Sequence, residues 1–269
     1  METNNSRKTA LIVVVIFIAF ALGFYWLGKD NNTLSTQAEA EVQSSSLEAP
    51  LSVAQIEALS DIEKDMPVIK TIKKINPDVY QAIENIVRDY DPSNELLSRH
   101  MFDQIVGSVM KLVTERIPYA SDESIINFTS KVNDYLNVLL EADPSGKTCF
   151  YSLFPYLRDS AAIMPPQKSH SVLLKQLEAT NELLISSEAG VKQPTLSNEE
   201  KNTILTNIQA KLTAKYGKKT SLLGDLEKAK QQPAVTCRIT MSFYDHILAM
   251  PDSQKKAAFL RSLFAGTNQ

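Results

Sequence analysis

The positions of the prolines divide most of this chain into helix-sized segments. Proline costs about 3 kcal/mol inside an α-helix and little at a helix boundary, so it marks where helices end. Most of the twelve prolines lie between segments with periodic apolar residues: Pro67, Pro77, Pro92, Pro118, Pro144, Pro165, Pro194, Pro233 and Pro251. Only eight of 269 residues are glycine, which hairpin turns, phosphate loops and dinucleotide folds all require. We therefore predict an all-α fold.

Apolar residues recur at helical spacing through most of the chain after Ser52. The pattern predicts a multi-helix domain of about 9–10 helices, the main ones near 94–117, 121–141, 169–187, 197–216, 236–249 and 252–265. Ser52, Ser121 and Ser197 are typical N-caps, and Gly217 is typical of a helix end. The narrow apolar stripe of 197–216 predicts a surface helix, protruding as a hairpin with residues 220–231. In the helix near 169–187, the spacing predicts four inward leucines: Leu173, Leu174, Leu177 and Leu184.

A long apolar segment runs from Thr9 to Gly28, near the N-terminus. It has twenty residues without a charge, and at about 1.5 Å rise per residue such a helix just crosses a hydrocarbon core of about 30 Å. Arg7 and Lys8 precede it, and positive flanking residues favour the cytoplasmic side of a membrane. We therefore predict a single-pass signal-anchor in an inner membrane, with the N-terminus cytoplasmic and the C-terminal domain in the periplasm.

Cleavage is the alternative interpretation of this segment. Ala19-Phe20-Ala21 fits the small-x-small pattern of a signal peptidase site, so a secreted or lumenal domain released near Ala21 stays open. The segment that follows is small and polar, which predicts a flexible linker with an r.m.s. reach of about 25–30 Å. The predicted organisation is a cytoplasmic N-terminus (1–8), a transmembrane anchor (9–28), a linker (29–51) and an extracytoplasmic helical domain (52–269).

The chain has two cysteines, Cys149 and Cys237. An even pair is typical of a disulfide in an oxidising compartment, whereas two buried reduced thiols are typical of a cytosolic protein. Because we predict export, we expect a disulfide bond between them. It would close a loop of about 90 residues, for which the chain-entropy model gives a stabilisation of roughly 4.5 kcal/mol.

Two groups of residues are candidates for a partner surface. Four aromatic residues come soon after the first cysteine: Phe150, Tyr151, Phe154 and Tyr156. They form either a local core around the disulfide or a groove for a partner. Four lysines cluster later in the chain: Lys211, Lys215, Lys218 and Lys219. These form either a solvated helix face or a contact surface, and the net charge of −3 gives no reason to expect nucleic acid.

No sequence motif assigns a catalytic, cofactor-binding or metal-binding residue. Residues 143–148 end like a phosphate-binding loop, but Glu141 stands where that motif needs its first glycine, and a predicted helix precedes it instead of a strand. The three histidines, at positions 100, 170 and 246, lack the Glu-x-x-His spacing of helical metal sites. Glu115 and Glu141 stand at the ends of predicted core helices, where surface glutamates have the same pattern. We assign no cofactor and no metal.

These observations favour a membrane-anchored interaction module over an enzyme. We expect an envelope scaffold, assembly factor or chaperone-like protein that binds another envelope protein through helical surfaces. One alternative is an envelope hydrolase acting on wall glycan or lipid, with a carboxylate in a cleft between helices. A further alternative is a helical domain that binds a lipid or small ligand in an apolar cavity. The sequence leaves the partner, the substrate and the oligomeric state open.

Overall fold

The computed structural model describes residues 50–88, 95–157 and 166–265, and the regular elements in those ranges are all helical. They comprise α1 (Val53–Asp65), α2 (Val68–Ile75), α3 (Pro77–Arg88), α4 (Glu95–Arg116), α5 (Asp122–Ala142), α6 (Lys147–Leu153), α7 (His170–Ser186), α8 (Asn198–Tyr216), α9 (Leu226–Gln231), α10 (Pro233–Leu248) and α11 (Ser253–Ala265). Four short 3-10 helices connect them: Ile117–Tyr119, Pro155–Leu157, Gln167–Ser169 and Gly217–Gly224. The predicted all-α, multi-helix fold is confirmed.

The predicted anchor and nearly all of the predicted linker lie outside the described residues. Within the described ranges, none of the helices combines the length and the apolar composition that crossing a bilayer requires. The anchor, the linker and the membrane location therefore stay predictions.

Side-chain caps fix the starts of several helices where the sequence predicted them. Ser52 and Ser197 form complete capping boxes with Gln55 and Glu200, in which each side chain bonds to the other residue's backbone N–H. Ser121 accepts a hydrogen bond from the backbone N–H of Ser124 and so caps α5. A capped helix begins without unsatisfied N–H groups, which is why short polar residues at these positions set the boundaries.

Helix α5 packs against more of the described helices than most of its neighbours do, with contacts to α6, α7, α10 and α11. Its apolar side chains, including Ile125, Phe128 and Leu139, are buried. The buried amide of Asn133 donates a hydrogen bond of 2.7 Å to a carboxylate oxygen of Asp245 on α10. Apolar burial holds these two helices together, and the polar contact fixes how they align.

The N-terminal helices attach to the rest of the domain through α7. Helix α2 packs on α7, and its Val68, Ile69 and Ile72 are fully buried. Two polar contacts join the same helices, a hydrogen bond between Thr71 and Asn181 and an ion pair between Lys74 and Glu188.

The α7 face that points inward differs from the predicted one. Ala179, Thr180, Leu183 and Leu184 are buried, whereas Leu174, predicted to point inward, is 38% exposed. The prediction for Leu174 is wrong because the run of adjacent leucines, Leu173 and Leu174, gives two overlapping helical stripes, and only packing selects between them.

A buried arginine joins three separate segments at the other side of α5. Arg261 on α11 is 1% exposed, and its guanidinium donates to the backbone carbonyls of Ala120 (2.8 Å) and Pro194 (3.3 Å) and to the carboxylate of Asp122. Pairing with a carboxylate and with carbonyls offsets much of the cost of burying this charge. The contacts hold the loop before α8 against the start of α5.

Residues 217–231 do not protrude as the sequence predicted. The 3-10 helix after α8 packs on α8 and α10, and α9 packs on α10. Leu222, Leu223 and Ala229 are buried in these contacts. The prediction of a protruding hairpin is wrong because apolar residues that are too few to form a periodic pattern still bury a short irregular segment.

Candidate interaction surface on helices α8 and α10

The disulfide lies inside the domain and joins α6 to α10. Cys149 and Cys237 are bonded, with their Cα atoms 6.3 Å apart, and both side chains are fully buried. The disulfide predicted from the cysteine count is thus present. Its burial places it in the core and keeps it away from solvent-borne thiols.

The turn before α6 fits tightly against the first turn of α10. Gly146 has a φ of 75°, and a Cβ built on it would lie 2.3 Å from the Cα of Ala234. Hydrogen bonds from Ser145 and Thr148 occupy the Asp143 carboxylate, and they outweigh its partial burial, so the pKa of this group is lowered. The space that a bound phosphate would need is filled by α10, which agrees with a turn between two helices.

The aromatic half of the candidate partner surface is largely core. Phe150 and Phe154 are buried, with their ring centroids 4.8 Å apart, so they do not offer contact area to a partner. Tyr151 is only partly buried, and Tyr156 lies in the 3-10 helix Pro155–Leu157. Phe150 and Phe154 therefore leave the predicted surface and belong to the interior around the disulfide.

The four candidate lysines are exposed and lie close together in the chain fold. Lys211 and Lys215 stand one turn apart near the end of α8, and Lys218 and Lys219 follow in the adjoining 3-10 helix. Helix α8 packs on α10 through three buried residues, Leu205, Ile208 and Leu212. Because this stripe is narrow, most of the α8 side chains, including the lysines, remain in contact with solvent.

A cluster of hydroxyl groups holds one of these lysines against α10. The Lys215 ammonium donates to Ser242 Oγ at 3.0 Å and lies 5.1 Å from the centre of the Tyr216 ring. The Tyr216 hydroxyl lies 2.7 Å from Ser242 Oγ and donates to the Arg238 carbonyl at 3.1 Å. The sequence analysis did not identify Ser242 or Tyr216, because their roles depend on how α8 docks on α10.

The electrostatic potential beside this cluster is positive. Partial burial lowers the pKa of His246, and the charges of Lys211 and Lys215 lower it further, against the opposing effect of Asp245. Both lysines therefore act at the same point on α10, one turn beyond Ser242. This proximity joins α8 and α10 into a single basic surface.

A serine bonded to a lysine is also a pattern seen in acyl transfer. Such chemistry needs backbone N–H groups aimed at a developing oxyanion next to the nucleophile. Ser242 lies in the middle of α10, where the helix uses the neighbouring N–H groups for its own hydrogen bonds. The contact therefore positions Lys215 and joins two helices.

Two cavities among the described residues differ sharply in character. An enclosed void of about 10 Å³, large enough for about one water, is lined by Phe128, Thr129, Val132, Tyr244 and Phe264. An open groove of about 530 Å³ follows the outer face of α8 and is lined by polar residues: Glu199, Asn202, Thr203, Thr206 and Asn207. Small-molecule sites are usually enclosed, largely apolar and about 300–1,000 Å³, and neither cavity has that combination.

The other candidate residues do not come together. Glu115 and Glu141 are exposed at the ends of α4 and α5, His170 is exposed on α7, and His246 is half-buried on α10. Among the described residues, no group of three His, Cys, Asp or Glu side chains is arranged to hold a metal ion.

Comparison with known proteins finds no matching family, no similar characterised protein and no matching solved structure. The functional argument therefore rests on the surface itself. That surface is the basic region formed by the second half of α8 and the adjoining face of α10.

Proposed function

We propose that this chain is a membrane-anchored helical interaction module that acts as an envelope scaffold, assembly factor or chaperone-like protein. The basic surface of α8 and α10 supports this proposal most directly. Lys211 and Lys215 are exposed, and Lys215 is held in place by Ser242 and Tyr216. Positioned, solvent-exposed charges are typical of surfaces that steer and orient a partner.

The proposed location follows from the sequence of the N-terminal segment. An anchor at Thr9–Gly28 and a linker at 29–51 would hold the helical domain within about 25–30 Å of the membrane on its extracytoplasmic side. The disulfide between Cys149 and Cys237 supports an oxidising compartment such as the periplasm. The partner we propose is another protein of the same envelope.

Site-specific photo-crosslinking in cells tests this proposal on the full-length protein in its own membrane. A photoreactive residue replaces Ala214, which is exposed on α8, and the matched control replaces Ala189, which is exposed in the loop after α7. We expect a defined protein adduct at position 214 that is missing at position 189. The same adducts at both positions, or lipid or glycan adducts in place of protein, would contradict the proposal.

A further inference from the structure

Four residues form a basic edge where α8 borders α10: Lys211, Lys215, Ser242 and His246. Residues three or four positions apart lie on one side of a helix, so Lys211 and Lys215 are neighbours on α8, and Ser242 and His246 are neighbours on α10. The hydrogen bond from Lys215 to Ser242 joins the two pairs directly. The basic edge is thus a continuous surface contributed by two helices.

The two lysines of the basic edge have no acidic side chain of their own domain to neutralise them. Within the described residues, the salt bridges involve other cations, Lys74, Lys131, Lys228 and Arg261. Asp245 lies next to His246 but hydrogen-bonds to Asn133 of α5. The lysine charges are therefore available to a group from outside the domain.

The hydroxyl groups make this edge more than a set of mobile surface lysines. The Lys215 ammonium is restrained by Ser242 and by the face of the Tyr216 ring, so part of its conformational entropy is already lost before binding. A restrained ammonium keeps N–H donors free for a second acceptor, since Lys215 has three and Ser242 takes one. This arrangement fits the carboxylate of an Asp or Glu side chain.

We propose that the basic edge binds an acidic segment of the partner protein through its carboxylates. The inference rests on the proposed function and names the chemistry of the partner. Lys211 and Lys215 are one helical turn apart, which matches acidic side chains spaced one turn apart on a partner helix.

The observations favour a protein segment over an anionic membrane surface. The large apolar side chains that are exposed, Val53, Ile56, Leu174, Ile185 and Val191, lie outside α8 and α10, so the basic edge has no apolar group to insert into lipid. The first turn of α8 also exposes Glu199 and Glu200, which a flat anionic surface along α8 would repel. A segment that covers only the second half of α8 avoids them.

Binding of a fluorescent oligoglutamate peptide to the full-length protein tests the inference. The protein is held in nanodiscs of uncharged lipid, and fluorescence anisotropy gives the affinity at low and high salt. We expect saturable binding that weakens with salt, because exposed ion pairs are screened beyond about 10 Å at 0.1 M ionic strength. Absence of saturable binding at low salt would overturn the inference.

Matched charge reversals separate the basic edge from general electrostatic attraction. Lys211→Glu/Lys215→Glu is expected to weaken oligoglutamate binding about tenfold or more, since two attractive contacts become repulsive. Lys218→Glu/Lys219→Glu makes the same change in net charge beside the edge and is expected to weaken binding less than about threefold. An equal loss in both variants would overturn the inference.

Two further measurements keep the result interpretable. Lys211→Glu alone breaks no side-chain hydrogen bond of the described structure, so it tests the edge even if the double variant is unstable. Tighter binding to phosphatidylglycerol vesicles than to oligoglutamate would overturn the inference in favour of lipid.

Repeating the photo-crosslinking at Ala214 in the double variant distinguishes the inference from the proposed function. A partner that is lost in Lys211→Glu/Lys215→Glu supports both. A partner that remains attached would leave the interaction module standing and overturn the assignment of the basic edge. A wild-type protein without a partner adduct would overturn the proposed function itself.

Discussion

Helix α10 has two neighbours that it contacts in opposite ways. Against α6 it is joined by the buried disulfide, and Ala234 leaves no space for a side chain at Gly146. Against α8 it is joined by three apolar residues and a hydroxyl cluster around Ser242, with charged side chains in solvent at the edge. One contact is closed to change, whereas the other leaves surface that can be altered without unfolding the domain.

This difference separates the part of the protein that determines stability from the part that we propose binds a partner. Close-packed interiors respond strongly to small changes in volume, while exposed polar side chains contribute little to the free energy of unfolding. Changes at the α6 contact should therefore be expensive for stability, and changes at the α8 contact should mainly affect binding. The four predictions below test that ordering.

Loss of the disulfide should have the largest effect. Bonding of residues 88 positions apart restricts the unfolded chain, and the chain-entropy model gives about 4.5 kcal/mol of the free energy of unfolding for such a loop. Urea unfolding of the helical domain with and without reductant measures this loss. A Cys149→Ala/Cys237→Ala variant serves as the control, because reductant should leave its stability unchanged. Equal stability of the oxidised and reduced wild type would contradict the prediction.

Gly146→Ala should lower the free energy of unfolding by about 3 kcal/mol. The added Cβ collides with the backbone of Ala234, and the positive φ is itself unfavourable for alanine. Gly190→Ala is the matched control, since its φ is also positive but no atom lies within 4 Å of the new Cβ. The control should lose only about 1 kcal/mol. Equal losses in urea unfolding would show that backbone strain alone, and not the α6–α10 contact, causes the effect.

Tyr216→Phe should cost about 1 kcal/mol, because the hydroxyl that bridges Ser242 and the Arg238 carbonyl is removed while the ring remains. Tyr151→Phe is the comparison variant, since the Tyr151 hydroxyl has no hydrogen bond in the described structure. We expect a change below about 0.5 kcal/mol there. Thermal or urea unfolding measures both, and a loss of several kcal/mol in Tyr216→Phe would mean that the α8 contact is as demanding as the α6 contact.

The smallest effect should be a pH dependence at His246. Its pKa in the folded protein is lowered by burial and by Lys211 and Lys215, so the unfolded chain binds the proton more readily. The free energy of unfolding should therefore fall as the pH drops below about 6.5, and the fall should stop below the folded pKa. Lys211→Gln should raise the pKa of His246, measured by NMR titration, and reduce the fall. An unchanged His246 pKa in this variant would show that Lys211 does not reach the basic edge.

Much of the helical architecture could be predicted because local chemistry sets helix boundaries. Ser52, Ser121 and Ser197 begin helices through bonds to residues three positions away, and Gly217 ends α8 with a φ of 58°. The disulfide was predictable for a different reason, since two cysteines allow a single pairing. In each case the information lies within the chain itself and does not depend on which helices meet.

The features that sequence reasoning missed all depend on distant contacts. Arg261 is buried because carbonyls from two loops happen to surround it, and nothing near it in sequence distinguishes it from a surface arginine. Ser242 is recognisable only after α8 brings Lys215 to it. The lysines of the candidate surface were found because charge clusters are visible in sequence, but their shared position beside His246 was not.

The 88 residues between the bonded cysteines also set a time during synthesis. At about 5–20 residues per second, Cys237 follows Cys149 by roughly 4–18 s. During that interval Cys149 has no native partner, and the α10 segment that covers Gly146 has not yet been made. The nascent chain must therefore keep one thiol unpaired until its second half arrives, so the order of synthesis places the greatest risk of wrong pairing at the very contact that later tolerates the least change.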